Sequence, residues 1–449
     1  MRGCPSRPGE LVGNLTCMSF LRRQIVNAAL TANAVRPLPG GRTMVPAFLA
    51  GWMTSELAPQ LLAATVLDTT AELTVRRRRG GEPRGEAGLA LAAVTAGALG
   101  WMVVQASRSA GHVESTLRDG LGADYLDVLD DPPAREDLRT TVKELARPFK
   151  MARPGVEVIS DINYTAGGKR ARLDVYRPRG VDLHDAPVLV QVHGGAWTLG
   201  TKESQGQLLM NRLAERGWVC VAMNYRLAPK HPFPAQIIDV KKAIAWTRAN
   251  IASYGGDPSY LVVTGGSAGG HLASLAALTP GKREWQPGFE DADTSVAACV
   301  PFYGVYDLAG MTGLRSAKAM FRGFLAPRVF AKDPDADRAD FVDASPLAHL
   351  SPEAPDFFCL HGSNDSLVDV RQARIFVEEL KKVSRASVTY AEFPGAQHAF
   401  EVFGSIRSHH AVRAVERWLE HHRALWLREQ AEQTDQAGDG PAGQTSASA

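Results

Sequence analysis

The chain has 449 residues, of which 45% are hydrophobic and 22% are charged, and its formal net charge is +2. This length fits two or three domains or one large domain with additions, and the composition excludes a collagen, a coiled coil and a wholly disordered chain. With 50 basic and 48 acidic residues, nothing in the charge balance predicts a nucleic-acid partner. Five cysteines are too few for a disulfide scaffold and show no zinc-ligand spacing, so we expect neither a metal nor a cofactor.

The first 150 residues differ from the rest of the chain. Ala87–Ser107 is a run of 21 residues without a charge, which is long enough to cross a bilayer as a helix. Arg76–Arg79 and Arg84 precede it, and the positive-inside rule would place them in the cytoplasm, with everything after Ser107 outside. A buried, alanine-rich helix of a helical subdomain is the alternative, and both interpretations stay open.

A second apolar stretch, Met44–Leu67, contains Glu56 and two prolines, so an interfacial or buried helix is favoured there. The two stretches together could form a helical hairpin packed on a membrane or on the following domain. Residues 1–17 lack the pattern of a cleavable signal, and Met18 is a candidate for the true start. We therefore predict a helical extension over residues 1–150, located at a membrane or in the cell envelope, and otherwise in the cytoplasm.

From about residue 155, strand-like segments alternate with helical ones. The predicted strands are 156–164, 170–176, 187–192, 218–223, 260–264, 295–302, 356–360 and 387–393. The predicted helices between and after them are 204–216, 239–251, 267–278, 370–382 and 409–427. This alternation predicts an α/β domain over residues 151–429, with a mostly parallel eight-stranded sheet and helices on both faces. Residues 430–449 are polar and are predicted to be a disordered tail.

A candidate nucleophile lies in Gly265–Gly269, a G-x-S-x-G sequence that follows an apolar strand and opens a helix. The turn is too tight for side chains beside the serine, which explains the glycines at Gly265 and Gly269. It places the Ser267 oxygen at a helix N-terminus, where developing negative charge is favoured. A glycine-rich turn with an idle serine is the alternative.

A second motif, His193–Trp197 (HGGAW), follows the strand 187–192, about 70 residues before the serine. Loops of this type donate backbone N–H groups to an oxyanion, and glycine allows the backbone to approach the substrate closely. We expect Gly194, Gly195 and Ala268 to be the donors. His193 is expected to orient the loop rather than to act as a base.

An acid and a histidine complete the expected chain order. Asp365 follows the strand 356–360, and His398 follows the strand 387–393. His398 would take the proton from Ser267, and Asp365 would hold the ring in the required tautomer. Asp369 is the rival acid, but its position before the helix 370–382 is typical of an N-cap.

Five motifs together resemble the α/β-hydrolases related to hormone-sensitive lipase, which are carboxylesterases and lipases. They are HGGAW, NYRLAPKHPFPA (224–235), YGGDPSYLVVTGGSAGG (254–270), HGSNDSLV (361–368) and GAQHAF (395–400). The resemblance covers about residues 155–428. Residues 18–125 are more loosely similar to the N-terminal extension of actinobacterial cell-envelope esterases. The family usually has an acidic residue where this chain has Gly266, so the chain is closer to the feruloyl-esterase and kynurenine-formamidase-like branch, and the acyl group stays open.

The resemblance also implies a cap over the site, built from N-terminal helices and from an insertion at residues 308–348. Five side chains of this insertion either line an acyl pocket or form ordinary helix core: Met311, Met320, Phe321, Phe324 and Phe330. Arg226 and Asp239 are expected to be structural.

Together these features predict a serine hydrolase that acts on a small acyl ester or a lipid through an acyl-enzyme. Two alternatives remain: an amidase such as an arylformamidase on the same fold, and a non-catalytic, membrane-anchored binding protein.

Overall fold

The computed structural model of the protein describes residues 19–37, 44–78, 86–129, 132–134 and 138–438. These ranges cover the whole of the predicted α/β domain and most of the N-terminal region. Several predicted features lie outside these ranges: residues 1–17, Met18, Arg79, Arg84 and residues 439–449.

The N-terminal region is helical, as predicted. Its long helices are α1 (Phe20–Val35), α2 (Met44–Glu56), α3 (Ala58–Arg78) and α4 (Glu86–Leu121), and a single helical turn follows at Val142–Leu145. Helix α1 packs against α2 and α4, and α3 packs against α4. Among the described residues, α4 is the one helix long and apolar enough to cross a membrane, and it continues 14 residues beyond the predicted apolar segment.

Eight strands form one sheet in the order β1-β2-β4-β3-β5-β6-β7-β8, which confirms the predicted α/β-hydrolase fold. They are β1 (Val156–Asn163), β2 (Arg172–Pro178), β3 (Ala186–Val192), β4 (Val219–Met223), β5 (Gly256–Gly266), β6 (Ala298–Phe302), β7 (Asp356–Gly362) and β8 (Val388–Phe393). The pairs β1–β2 and β2–β4 are antiparallel, and the other pairs are parallel. The carboxyl ends of β3 and β5 to β8 therefore meet at one edge of the sheet.

Helices cover both faces of this sheet and enclose two cores. They are α5 (Gln207–Glu215), α6 (Ala235–Asn250), α7 (Ala268–Leu278), α8 (Arg315–Met320), α9 (Arg338–Asp343), α10 (Arg371–Val383) and α11 (Ile406–Gly438). Val188 and Val190 of β3 lie in the core shared with α6, α7 and α10, whereas Leu189 lies in the core shared with α4, α5 and α11. This alternation is what a strand covered on both faces requires.

The last helix corrects the predicted tail. Helix α11 continues to Gly438, so residues 430–438 are helical rather than disordered. Trp418 and Leu419 of α11 are fully buried, while residues 428–434 are exposed. Starting a helix is unfavourable, but here the packed part of α11 has already formed the first turns. The glutamine, glutamate and alanine residues that follow are good helix formers and extend it.

The insertion between β6 and β7 contains α8, a π-helical segment Phe321–Phe330 and α9. Phe321 and Phe330 are buried in the core, where the Phe330 ring centroid lies 4.8 Å from that of Phe233 and 4.2 Å from that of Phe341. These two aromatic residues are therefore core residues rather than the lining of an open pocket. Met320 and Phe324 pack partly buried against the same core, and Met311 is exposed.

A buried ion pair attaches the N-terminal helices to the α/β domain. Glu56, the last residue of α2, lies 3.0 Å from the guanidinium of Arg407 at the start of α11, and both side chains are 1% exposed. The Ser405 hydroxyl donates to the second Glu56 oxygen at 2.7 Å. A buried charge without its partner would destabilise the fold, so this ion pair couples the N-terminal helices to the α/β domain.

Candidate active site

Ser267 lies on a sharp turn between β5 and α7, as its motif predicts. Its backbone has φ 59° and ψ −120°, a strained conformation for a residue with a side chain. A Cβ atom on Gly265 or on Gly269 would lie 2.5 Å or 2.1 Å from the Val192 carbonyl oxygen. Only glycine fits at these two positions. Ser267 itself is partly exposed, whereas the residues on both sides of it are buried.

Asp365 and His398 are brought together from the ends of β7 and β8. His398 Nδ1 lies 2.6 Å from Asp365 Oδ2, and the other carboxylate oxygen accepts the N–H groups of Leu367 and Val368. The rival Asp369 instead pairs with Arg371 at the start of α10, so Asp365 is the acid at the histidine.

A second imidazole contacts the same carboxylate. His361 Nε2 lies 3.1 Å from Asp365 Oδ2, and both side chains are fully buried. Burial alone would raise the pKa of Asp365, but the His398 ring and the hydrogen bonds from His361 and His398 hold that pKa well below its usual range. The carboxylate is therefore ionised at neutral pH.

Tyr303 lies between the serine turn and the histidine. Its ring centroid is 4.4 Å from that of His398, and a Cβ atom on Gly266 would be 2.7 Å from its hydroxyl oxygen. The Ser267 N–H donates to the Phe302 carbonyl at 3.0 Å, which ties the turn to the end of β6. Among the hydrogen bonds of the described ranges there is none from Ser267 Oγ, and such bonds often close only when substrate binds.

The Tyr303 hydroxyl donates to Glu401, a fully buried carboxyl group three residues after His398. Burial raises the pKa of Glu401 to about 7, the charge of Glu56 adds to this, and the Tyr303 hydrogen bond opposes it. The sequence analysis missed both residues. Gly266 was the one indication in the sequence that another side chain packs here, because a Cβ atom at this position would occupy the space that Tyr303 fills.

The HGGAW loop corrects one predicted oxyanion donor. The Gly194 N–H donates to Gln205 Oε1 at 2.6 Å, so it is not free to meet a substrate. In the described part of the chain, no hydrogen bond is formed by the N–H of Gly195 or of Ala196. Both residues have positive φ, 116° and 50°, and a Cβ atom on Gly195 would lie 2.2 Å from the Leu199 carbonyl.

His193 holds this loop, as expected. Its ring stacks on Tyr225 with centroids 4.2 Å apart, and its Nδ1 lies 2.7 Å from the Gly194 carbonyl. The Tyr225 hydroxyl donates to the His193 carbonyl at 2.9 Å. Burial lowers the pKa of His193 to about 4, so the ring is neutral at physiological pH.

Two further contacts fix the surrounding segments. Trp197 Nε1 donates to His271 Nδ1 at 3.1 Å, and His271 Nε2 lies 2.8 Å from the Ala344 carbonyl. His271 thus connects the HGGAW loop, α7 and the insertion. Arg226 donates to Asp239 from both its backbone N–H and its guanidinium, which agrees with the structural role predicted for this pair.

Helix α2 forms a wall beside the histidine. The Phe48 ring packs edge-on against His398 with centroids 5.9 Å apart, and the Trp52 ring packs on both Phe48 and Phe403. Asn364 Nδ2 donates to the Val35 carbonyl at the end of α1 at 3.2 Å. The N-terminal helices therefore border the site directly.

The described residues offer neither a metal site nor a reactive thiol. No group of three or more histidine, cysteine, aspartate or glutamate side chains among them is placed to hold a metal ion. The described cysteines Cys220, Cys299 and Cys359 are free and buried, and burial raises the pKa of Cys359 to about 12. Within these ranges, Ser267 on its strained turn stays the candidate nucleophile.

Comparison with known proteins finds similarity to esterases. A family model described as BD-FAE matches residues 173–380. The chain is 43% identical over 400 residues to the probable carboxylic ester hydrolase LipM of Mycobacterium tuberculosis, covering 88% of this chain and 91% of LipM. It is 42% identical over 318 residues to the esterase LipQ of the same organism, covering 70% and 75% of the two chains. A thermophilic esterase from Thermogutta terrifontis superposes with a TM-score of 0.50 at 26% identity, over 59% of this chain and 94% of that one.

Substitution of Gly269 by alanine tests the tight turn. Because the new Cβ would meet the Val192 carbonyl, the turn must shift, and we expect kcat/KM for an ester to fall by at least about 10²-fold. The matched control is Gly281→Ala, which has open space for a Cβ. Both variants are measured alongside circular dichroism and thermal unfolding. A folded Gly269→Ala protein with wild-type kcat/KM would contradict this account of the turn.

The raised pKa of Glu401 predicts a pH-dependent stability. Its native pKa of about 7 lies above the ordinary value of 4.5, so the stability it confers is complete below pH 4.5 and is lost as the pH rises through 7. The melting temperature of Glu401→Gln should therefore rise relative to that of wild type from pH 5 to pH 8, because the glutamine never has to ionise in the buried site. The exposed Glu378→Gln serves as the control. A constant difference across this pH range would show that Glu401 does not titrate there.

Proposed function

The chain belongs to the hormone-sensitive-lipase-like esterases of the α/β-hydrolase fold and is a carboxylic ester hydrolase, and we propose that Ser267, His398 and Asp365 form its catalytic triad. The observation that carries the proposal is the 2.6 Å contact between His398 Nδ1 and Asp365, beside a serine on a strained strand-to-helix turn. The same arrangement of groups supports nucleophilic catalysis on unrelated folds.

In the first step, His398 acts as the general base. His398 Nδ1–H donates a hydrogen bond to Asp365, which leaves Nε2 without a proton and able to accept the Ser267 hydroxyl proton. As the serine oxygen attacks the ester carbonyl carbon, the carbonyl π-electrons move to its oxygen, and the proton passes to Nε2. The ionised Asp365 stabilises the imidazolium that results.

The tetrahedral oxyanion needs N–H donors that are not already engaged. We propose Gly195 and Ala268, as the sequence predicts, together with Ala196 in place of Gly194. Gly195 and Ala196 support this because their N–H groups form no hydrogen bond in the described ranges, and Ala268 because it opens α7, where the helix dipole favours negative charge. Each such donor is typically worth about 10²–10³ in rate.

The intermediate then collapses in two stages. His398 gives its proton to the alkoxide leaving group, so an alcohol departs and Ser267 is left acylated. A water molecule, deprotonated by His398, attacks the acyl carbon, and the serine oxygen leaves and regains the proton. The products are one carboxylic acid and one alcohol, and the enzyme is restored.

The substrate class that this site supports is a small-molecule acyl ester or a lipid ester. The Thermogutta terrifontis esterase is described in a butyrate-bound form, which makes a four-carbon acyl ester a suitable first substrate here. The long apolar helix α4 supports a location at a membrane or in the cell envelope, with residues 87–107 in the bilayer.

Hydrolysis of p-nitrophenyl butyrate tests the triad. We expect Ser267→Ala to lower kcat by at least about 10⁴-fold, because the nucleophile is removed. The matched control is Ser274→Ala, whose hydroxyl lies two turns further along α7 and donates to the Gly270 carbonyl, and it should stay within about twofold of wild type.

The matched p-nitroanilide separates an esterase from an amidase. Wild-type protein should cleave the ester faster than the anilide. Ester hydrolysis that survives Ser267→Ala would refute the proposed nucleophile, and faster cleavage of the anilide would show that the enzyme acts as an amidase.

A further inference from the structure

The N-terminal helices expose far more apolar surface than the rest of the protein. Of the 24 large hydrophobic side chains that are exposed in the described ranges, 15 lie between residues 20 and 104. They include Ile25 on α1, Leu67 on α3, and Val94 and Trp101 on α4, each at least 50% exposed. A surface of this kind on a monomer marks a contact with another protein or with lipid.

The interior of the same helices is unusually polar. Gln24, Thr31, Thr65 and Thr95 are all less than 5% exposed. Between α1 and α3, the partly buried Asp68 accepts hydrogen bonds from Arg23 at 2.7 Å and from the buried Gln24 at 2.8 Å. Helices that are surrounded by lipid place their polar and paired charged groups between the helices and their apolar side chains on the outside.

The polar groups on the outer side of α3 are also satisfied within the helix. The hydroxyls of Thr69, Thr70 and Thr74 each donate to the carbonyl four residues earlier, at 2.7 to 2.8 Å. Glu72 pairs with Arg76 at 2.9 Å. Such internal pairing leaves no need for water along the helix, as a bilayer requires.

Small residues allow α1 and α4 to pack closely. The face of α4 that is buried between Gly88 and Thr95 consists of Gly88, Ala92 and Thr95. A Cβ atom on Gly88 would lie 2.9 Å from the ring of Phe20 on α1. Close approach at small residues three and four apart is typical of helices that associate in membranes.

Contacts with the α/β domain define the two ends of this bundle. The Val35 carbonyl of α1 and the Gln105 amide of α4 bond to Asn364 and Arg407 of the α/β domain, and the Gln60 amide of α3 bonds to Leu145 in the segment that leads into that domain. The opposite end contains the start of α1 with Arg22, the end of α3 with Arg76–Arg78, and the start of α4. The 20 residues of α4 from Glu86 to Gln105 extend about 30 Å, which matches the thickness of a bilayer core.

We propose that α1, α3 and the first 20 residues of α4 form a three-helix module that crosses a lipid bilayer, with the arginine end in the cytoplasm and the α/β domain on the other side. The acyl chains of the bilayer thus cover the apolar surface, and anionic lipid headgroups pair with the arginines. This differs from a single span at residues 87–107, because α1 and α3 also cross, with Asp68 and Glu72 of α3 neutralised by Arg23 and Arg76.

If the proposed triad is correct, this placement also defines how the substrate arrives. Helix α2 directs Phe48 towards His398, while its exposed Val45, Leu49 and Met53 lie on the outer surface. Apolar side chains exposed in this position would contact the bilayer interface. The site would then receive amphipathic or lipid esters from the membrane.

Extraction of the full-length protein tests the module. Membranes from expressing cells are washed with sodium carbonate at high pH, which releases proteins that are not embedded. Wild type should stay in the membrane pellet. Leu67→Glu/Val94→Glu, at two side chains that are 70% exposed, should lower the retained fraction by at least about threefold, because a carboxylate is costly in lipid.

The matched control is Val142→Glu, on a valine that is 84% exposed on the other side of the proposed membrane boundary. It should behave as wild type. All variants should hydrolyse soluble p-nitrophenyl acetate in detergent, so the failure of the module and the failure of the triad are distinguishable. Release of wild type by carbonate, or equal retention of the double variant and Val142→Glu when both are folded, would overturn the proposal.

Labelling with a membrane-impermeant maleimide tests the orientation. Arg77→Cys and Val142→Cys are made in a Cys4→Ser/Cys17→Ser background, where the remaining cysteines are buried. In intact spheroplasts we expect Val142→Cys to react and Arg77→Cys to react only after permeabilisation. Reaction of both without permeabilisation, or the reverse order, would contradict the proposed crossing.

Discussion

The close approach of α7 to the end of β3 determines where the nucleophile and its loop lie. The Val192 carbonyl oxygen lies so close to Gly265 and Gly269 that a Cβ atom on either residue would clash with it. His193, the first residue of the HGGAW loop, follows Val192 directly, so the turn at Ser267 and the proposed oxyanion donors are positioned by one backbone contact. The strain at Ser267 is sustained because buried residues surround it.

The other half of the site depends on long-range contacts. Asp365 and His398 come from the ends of neighbouring parallel strands, which meet at the same edge of the sheet. Tyr303 links this pair to the serine turn, and Phe48 closes the outer side. The buried Glu56–Arg407 pair holds α2 in place. The N-terminal helices therefore belong to the same structural unit as the site, and the membrane module that we propose would hold the site at a lipid surface.

The fold and the triad candidates could be predicted because their signals are local in sequence: apolar strands, glycines beside Ser267, and acids and histidines directly after strands. The remaining features depend on contacts between distant residues. The Gln205 side chain that occupies the Gly194 N–H and the Glu401 carboxylate that accepts from Tyr303 have no motif. Asp68 and Glu72 make α3 unlike a membrane helix in sequence, and their pairing with Arg23, Gln24 and Arg76, on which the proposed module rests, is visible only in the structure.

The most direct test of the central claim is to locate the site of covalent modification by a fluorophosphonate. The phosphorus is attacked only by a nucleophile that a neighbouring base activates, so the adduct reports the serine and its activation together. The account predicts a single adduct, mapped by mass spectrometry of peptides to Ser267, and at least about a 10²-fold slower rate of labelling in His398→Ala. An adduct on another residue, or equally fast labelling without His398, would contradict it.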